Sequence, residues 1–146
     1  KKGNARGDKL IAPWLRQLAA AAAGETVSGY LVARDATIRM APLDPAAAKA
    51  ALATLVALWR RNMDAPLTVA CKSALALLDG GDARTVYEGG YQVSGEVADL
   101  CLARLWPDYA SLAASGEWPA SAEQLYGPLA RWLDGIVITE HGGEPA

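Results

Sequence analysis

The 146-residue chain has no phenylalanine, one histidine, two cysteines and five lysines. Without Phe, the large core groups have to be Leu, Val, Ile and the five Trp. Cys71 and Cys101 stand apart with no C-x-x-C pair, and His141 is the single imidazole, so none of the usual zinc spacings can be assembled. Two buried thiols in a reducing cytoplasm are the expectation. No apolar run reaches the roughly 18 residues that a membrane span requires, and there is no signal-peptide pattern. The balance of charge is slightly acidic, −2 overall. That excludes the basic totals of a stand-alone nucleic-acid binder but not a local basic patch.

Several catalytic signatures are missing as well. There is no nucleophile elbow, no Walker A loop and no dinucleotide fingerprint. The glycine-rich run 89–95 does not join a strand to a helix in the way a phosphate cradle does, and it reads as an irregular loop. His141 lies in a tail between Glu140 and Gly142, a poor place for a triad member. Metal-dependent nucleases of the PD-(D/E)-x-K type need an acid two residues before a lysine, so that carboxylates hold Mg²⁺ and the lysine places the water. Here Lys9, Lys49 and Lys72 are preceded at that spacing by Gly7, Ala47 and Ala70, and Lys1 and Lys2 by nothing. No catalytic residue, metal ligand or cofactor is assigned.

What is present is a pattern of elements. Residues 29–33 are apolar and strand-forming, 34–36 are a polar break, and 37–40 alternate, which predicts a β-hairpin. Pro42 ends the ladder, and Asp44-Pro45 opens a helix with a capping acceptor and a first-turn proline. Leu52, Leu55, Val56 and Trp59 follow on one stripe, predicted to pack on the hairpin. Before the hairpin, Asp8 is expected to cap a helix carrying Leu10, Ile11, Trp14, Leu15 and Leu18 and closing at Gly24. Pro13 requires that helix to start near Ala12 or to bend. After it come a short strand at 67–70, a short helix at 72–78, an irregular stretch at 82–95, and a helix at 96–106 with Val97, Leu100, Cys101 and Leu105 inward. Ser121 to Gln124 has capping-box spacing and starts a helix through Leu125, Leu129, Trp132, Leu133 and Ile136, with Pro128 dividing it. Trp14, Trp59 and Trp132 are read as core. Trp106 and Trp118, each before a proline, are read as packed loop anchors, with exposed docking groups as the alternative. The sum is one mixed α/β domain, helix-rich, over residues 1–146, flexible at 1–7 and 140–146. It opens Lys-Lys-Gly-Asn without Met and reads as a fragment of a larger subunit.

The order of certain pieces resembles a known family. These are Trp14 to Leu18, Ala41 to Ala47 leading into Leu55 to Arg61, Ala65 to Leu67, Lys72 to Ala76, Gly95 to Asp99, Leu105 to Tyr109, and Leu125 to Leu129. Together they resemble the C-terminal domain of RecC, the gamma subunit of exodeoxyribonuclease V, over about residues 9 to 135. The resemblance implies a restriction-endonuclease-like core, an inactive PD-(D/E)-x-K fold with a small sheet flanked by helices. In active relatives the hairpin would carry the metal-binding acids and the lysine. Here it carries Leu31, Val32, Ala33, Ile38 and Met40, while Asp35 falls in the turn and Asp44 at a cap.

The resemblance also implies partners: a RecB-like nuclease-helicase, a RecD-like helicase, and DNA as duplex end and single strands within a cytoplasmic complex. The function implied is a non-catalytic scaffold that guides DNA in double-strand-break processing and recombinational repair. The alternatives are a purely structural docking domain and an active nuclease with a migrated motif at Asp82 and Arg84. For DNA contact the candidates are Lys72, Arg84, Tyr87 and Tyr91, which flank the glycine-bearing loop, because aromatics stack on unpaired bases. Set against them is a surface loop with half-buried tyrosines. Arg60 and Arg61 are explained by the dipole at a helix C-terminus.

Overall fold

The structure, a computed structural model, describes residues 7–141. Of the segments expected to be flexible, 1–6 and 142–146 lie outside the described residues. The chain divides into two compact units, one formed by the residues up to Ala57 with those from Arg131 onward, the other by Leu58–Ala130.

In the first unit, a 3-10 turn (Gly7–Leu10) leads into α1 (Ile11–Ala22). Asp8 sits in that turn and is not the helix cap: the N-cap is Leu10, without a side-chain hydrogen bond. Pro13 falls in the first turn of α1, where no N–H is needed, so the helix starts at Ile11 without a break. Its far end closes as a Schellman motif. Gly24, at φ 95°, donates to the Ala21 carbonyl at 2.9 Å, and the Glu25 N–H reaches Ala20 at 3.0 Å.

The hairpin is β1 (Gly29–Val32) and β2 (Ala36–Met40), antiparallel, with Gly29 opposite Met40 and Val32 opposite Thr37. A third strand, β5 (Val137–Glu140), pairs antiparallel with the other side of β2, giving the order β1-β2-β5. The sequence offered no strand here, because its partner lies about a hundred residues earlier. Ile136, expected on a helix, is a buried residue of the connection. One face of the sheet is Leu31, Ile38, Met40 and Ile138, with Ile38 and Met40 buried. β1 lies against α1, and the Gln17 amide fixes the hairpin's exit by donating to the Ala41 carbonyl at 2.6 Å. Gln17 also accepts from the Trp132 indole at 2.9 Å, so this buried amide is satisfied on both sides.

Helix α2 (Pro45–Asn62) starts as expected, with the Asp44 carboxylate accepting from the Ala47 N–H at 2.7 Å. Its buried side differs from the expected stripe. Ala48 and Leu58 are buried, whereas Val56 and Trp59 are exposed, Trp59 by 63%. Leu52 and Leu55 of the expected stripe are half-buried.

The second unit holds α3 (Cys71–Leu78), α4 (Ala83–Glu88), a minimal hairpin β3 (Gly89–Gly90) and β4 (Val93–Ser94), a 3-10 turn (Glu96–Ala98), α5 (Leu100–Leu105) and α6 (Tyr109–Ala113). It also holds most of α7 (Trp118–Asp134). The strand expected at 67–70 is absent, and the stretch read as irregular forms α4 and the small hairpin. Asp99 ends the 3-10 turn and caps α5 through the Cys101 N–H, and this break turns the following face outward. Leu100 is therefore 84% exposed and Cys101 is exposed, while Leu102 and Trp106 pack inward. Neither thiol is buried, since Cys71 is only half-buried. Helix α7 begins at Trp118, three residues before the expected cap, and runs through Pro128 as one helix. Ser121 is buried inside it.

The core of this unit is Ala70, Ala74, Ala83, Tyr87, Leu112, Trp118 and Ala122. Small alanines let the helices approach, and the aromatics fill what remains. Trp118 stands edge-on to Tyr109, with centroids 6.4 Å apart, and its indole donates to the Tyr109 hydroxyl at 3.2 Å.

Candidate functional site

Two places come from the sequence: the hairpin, where the family resemblance implies a lost nuclease centre, and the 72–91 region. At the hairpin the inward side chains are apolar, and they floor an open cleft of about 380 Å³. Leu10, Leu31, Ile38 and Ile138 line it, with Lys9, Asp35, Glu140 and His141 at the rim. His141 joins the sheet rather than a triad. Its N–H donates to the Asp35 carbonyl at 2.8 Å, and its Nε2 lies 2.8 Å from Thr37 Oγ1. Asp44 serves α2 as its cap. Among the described residues, no group of three or more His, Cys, Asp or Glu side chains is placed to hold a metal ion.

In the 72–91 region the dominant polar feature is Glu96. Its carboxylate accepts from the backbone N–H groups of Lys72 and Ser73 and from the Ser73 hydroxyl, all at 2.8 Å. It caps α3 from a distant segment, since Ala70 at the N-cap has no acceptor side chain. Asp82 caps α4, accepting from the N–H groups of Arg84 and Thr85 and from the Thr85 hydroxyl at 2.6 Å. The Thr85 hydroxyl, above all, holds the Asp82 carboxyl below its ordinary range. Asp108 caps α6 in the same manner, lowered chiefly by its hydrogen bonds from Ser111. Tyr126 is pushed well above the usual phenol range by burial, with the Cys71 thiol adding to the shift.

The four residues selected for DNA contact are placed differently from one another. Tyr91 is 91% exposed at the tip of the β3–β4 hairpin, followed by Gln92 at φ 60°. The hairpin closes tightly on itself, because a Cβ at either Gly89 or Gly95 would strike the other's backbone. Lys72 is exposed. Arg84 is exposed but held by Glu88, Nε to Oε2 at 3.1 Å, and it also acts on Asp108. Tyr87 is in the core with no exposed surface, and its hydroxyl donates to the Trp106 carbonyl at 2.6 Å. A buried ring has no free face, so Tyr87 is not available for stacking. Burial, followed by the charges of Glu96 and Asp108, raises its hydroxyl above the ordinary value. The migrated-motif pair is likewise occupied, Asp82 by the α4 amides and Arg84 by Glu88.

Sequence periodicity did not separate packing from exposure on α2. Val56 and Trp59, about one turn apart on α2, are exposed, and so is Met63 just beyond the helix. No described helix is long and apolar enough to cross a membrane.

These elements define a helix-rich, mixed α/β protein with two small antiparallel sheets. The family model of the RecC C-terminal domain matches residues 1–82, more than half of the chain, and the chain belongs to that family. The matched span holds α1, the hairpin, α2 and α3; the resembling pieces from Gly95 onward lie beyond it. No curated protein matches the chain.

Proposed function

We propose that this chain is a non-catalytic, nuclease-like domain of an exodeoxyribonuclease V gamma subunit. It would act in the cytoplasm, scaffolding a complex with a RecB-like nuclease-helicase and a RecD-like helicase, and would guide DNA during double-strand-break processing and recombinational repair. Membership of the RecC C-terminal domain family carries this reading. The hairpin supports it: Leu31, Ile38 and Met40 occupy the inward positions where a restriction-endonuclease-like core would need carboxylates and a lysine. The exposed apolar side chains Val56 and Trp59 on α2, with Met63 after it, support the scaffolding part, since exposed apolar groups of this kind suit a partner subunit. For DNA, Lys72 and Tyr91 remain the accessible members of the original set.

A second reading, a docking domain that never touches DNA, is favoured by the acidic pI of about 5.4 and by the carboxylates Asp82, Glu88 and Asp108 around Arg84. Titrating the intact chain with forked DNA, with and without Mg²⁺, separates the readings. Binding without cleavage supports guidance. Absence of binding at low salt leaves the docking reading. Cleavage abolished by EDTA overturns both.

A further inference from the structure

The three-stranded sheet has two unlike faces. The inward face is apolar and holds the cleft, and both acids at that end of the sheet, Asp35 and Glu140, line the cleft. The opposite face carries, by the two-residue alternation, Tyr30 and Val32 from β1, Thr37 and Arg39 from β2, and Val137 and Thr139 from β5. The register sets them in two rows: Tyr30, Arg39 and Val137, then Val32, Thr37 and Thr139. Tyr30 is 63% exposed, Val32 and Val137 are more than half exposed, and Arg39 is open to solvent. No acid of β1, β2 or β5 stands on this face, and Arg39 has no carboxylate partner among the described residues. The His141 ring lies beside this face, its Nε2 2.8 Å from Thr37 Oγ1.

We propose that this outer sheet face, centred on the cross-strand pair Tyr30 and Arg39, is a binding platform for single-stranded nucleic acid. The inference rests on the DNA-guiding reading above and adds to it a contact on the sheet. Charge favours this placement. Around Arg84 the carboxylates of Asp82, Glu88 and Asp108 repel phosphate, whereas Arg39 on the sheet face has no carboxylate partner among the described residues. Shape favours it too. Tyr30 gives an exposed ring on a rigid strand, and a guanidinium directly across the ladder is within reach of the backbone of a strand whose base stacks on that ring. An acidic peptide would satisfy Arg39 but would make no use of the ring as a stacking surface.

The test is a fluorescence-anisotropy titration of the intact chain with a labelled single-stranded oligodeoxythymidine at several salt concentrations. Tyr30→Ala and Arg39→Glu are each expected to weaken binding about tenfold, and Arg39→Glu to reduce the salt slope by about one. Tyr30→Trp and Arg39→Lys should retain most of the affinity, and all four should keep the parent's unfolding midpoint, since both side chains are exposed. Lys49→Ala, at an exposed position of α2, should leave binding unchanged. Loss confined to Lys72→Ala and Tyr91→Ala overturns this inference and leaves the proposed function standing. Competition by poly-glutamate as strong as by unlabelled oligonucleotide overturns the assignment of the occupant. Failure of the parent chain to bind at low salt overturns both the inference and the DNA-guiding reading.

Discussion

Glu96 shows how much one side chain can organise. α3 begins at Ala70, which has no acceptor side chain, and a carboxylate more than twenty residues later supplies what its first amides lack. With three short hydrogen bonds in a buried setting, Glu96→Gln is expected to destabilise the chain by about 1–3 kcal/mol, read as a lower midpoint in urea. Asp82 and Asp108 act at exposed caps, and their effect is in the pH dependence. Both are lowered from 3.8 in the folded chain, so their contribution is fully present above that value and is lost as pH falls through the lower folded pKa. Stability measured from pH 5 down to pH 2 should therefore fall less steeply in Asp82→Asn and Asp108→Asn than in the parent. Asn preserves the capping acceptor while removing the titration.

At the scale of elements, α2 and α7 separate two kinds of tryptophan. Trp118 is buried in the second unit, edge-on to Tyr109, and Trp59 stands exposed on α2. Trp118→Ala should cost about 3–5 kcal/mol by removing a buried indole and leaving a cavity. Trp59→Ser should change stability by no more than about 0.5 kcal/mol. Paired urea melts check both, and a large loss at Trp59 would mean that this side chain is packed in solution. The same contrast applies to α5, where the interruption at Asp99 turns Leu100 outward and Leu102 inward. A single non-helical residue is enough to rotate everything after it.

For the whole molecule, charge is the useful quantity. A chain of net charge −2 with one unpaired arginine on its proposed contact face offers few phosphate partners. Its affinity for single-stranded DNA should fall with salt at a log–log slope no steeper than about −2, from one or two phosphate contacts. A slope several times steeper, measured by the same titrations, would require phosphate contacts beyond this face.

Local chemistry was readable from the residues alone. The hairpin, the Asp44-Pro45 start of α2, the Gly24 stop of α1, the short helix near 72–78 and the core tryptophans Trp14 and Trp132 each follow from neighbours within a few positions. So did membership of the RecC C-terminal domain family, through the order of its short pieces. The tertiary structure alone decided what depends on distant partners. β5 is a strand because β2 offers it an edge, Glu96 is a cap because α3 lacks its own, and Trp59 is exposed because Ala48 and Leu58 take the inward side of α2. Periodicity finds an apolar stripe but not what covers it, and a hydrogen-bond partner far along the chain leaves no local trace. The division of the sheet into an apolar face and an arginine- and tyrosine-bearing face likewise appears only once register is fixed, because a slip of one residue exchanges the two.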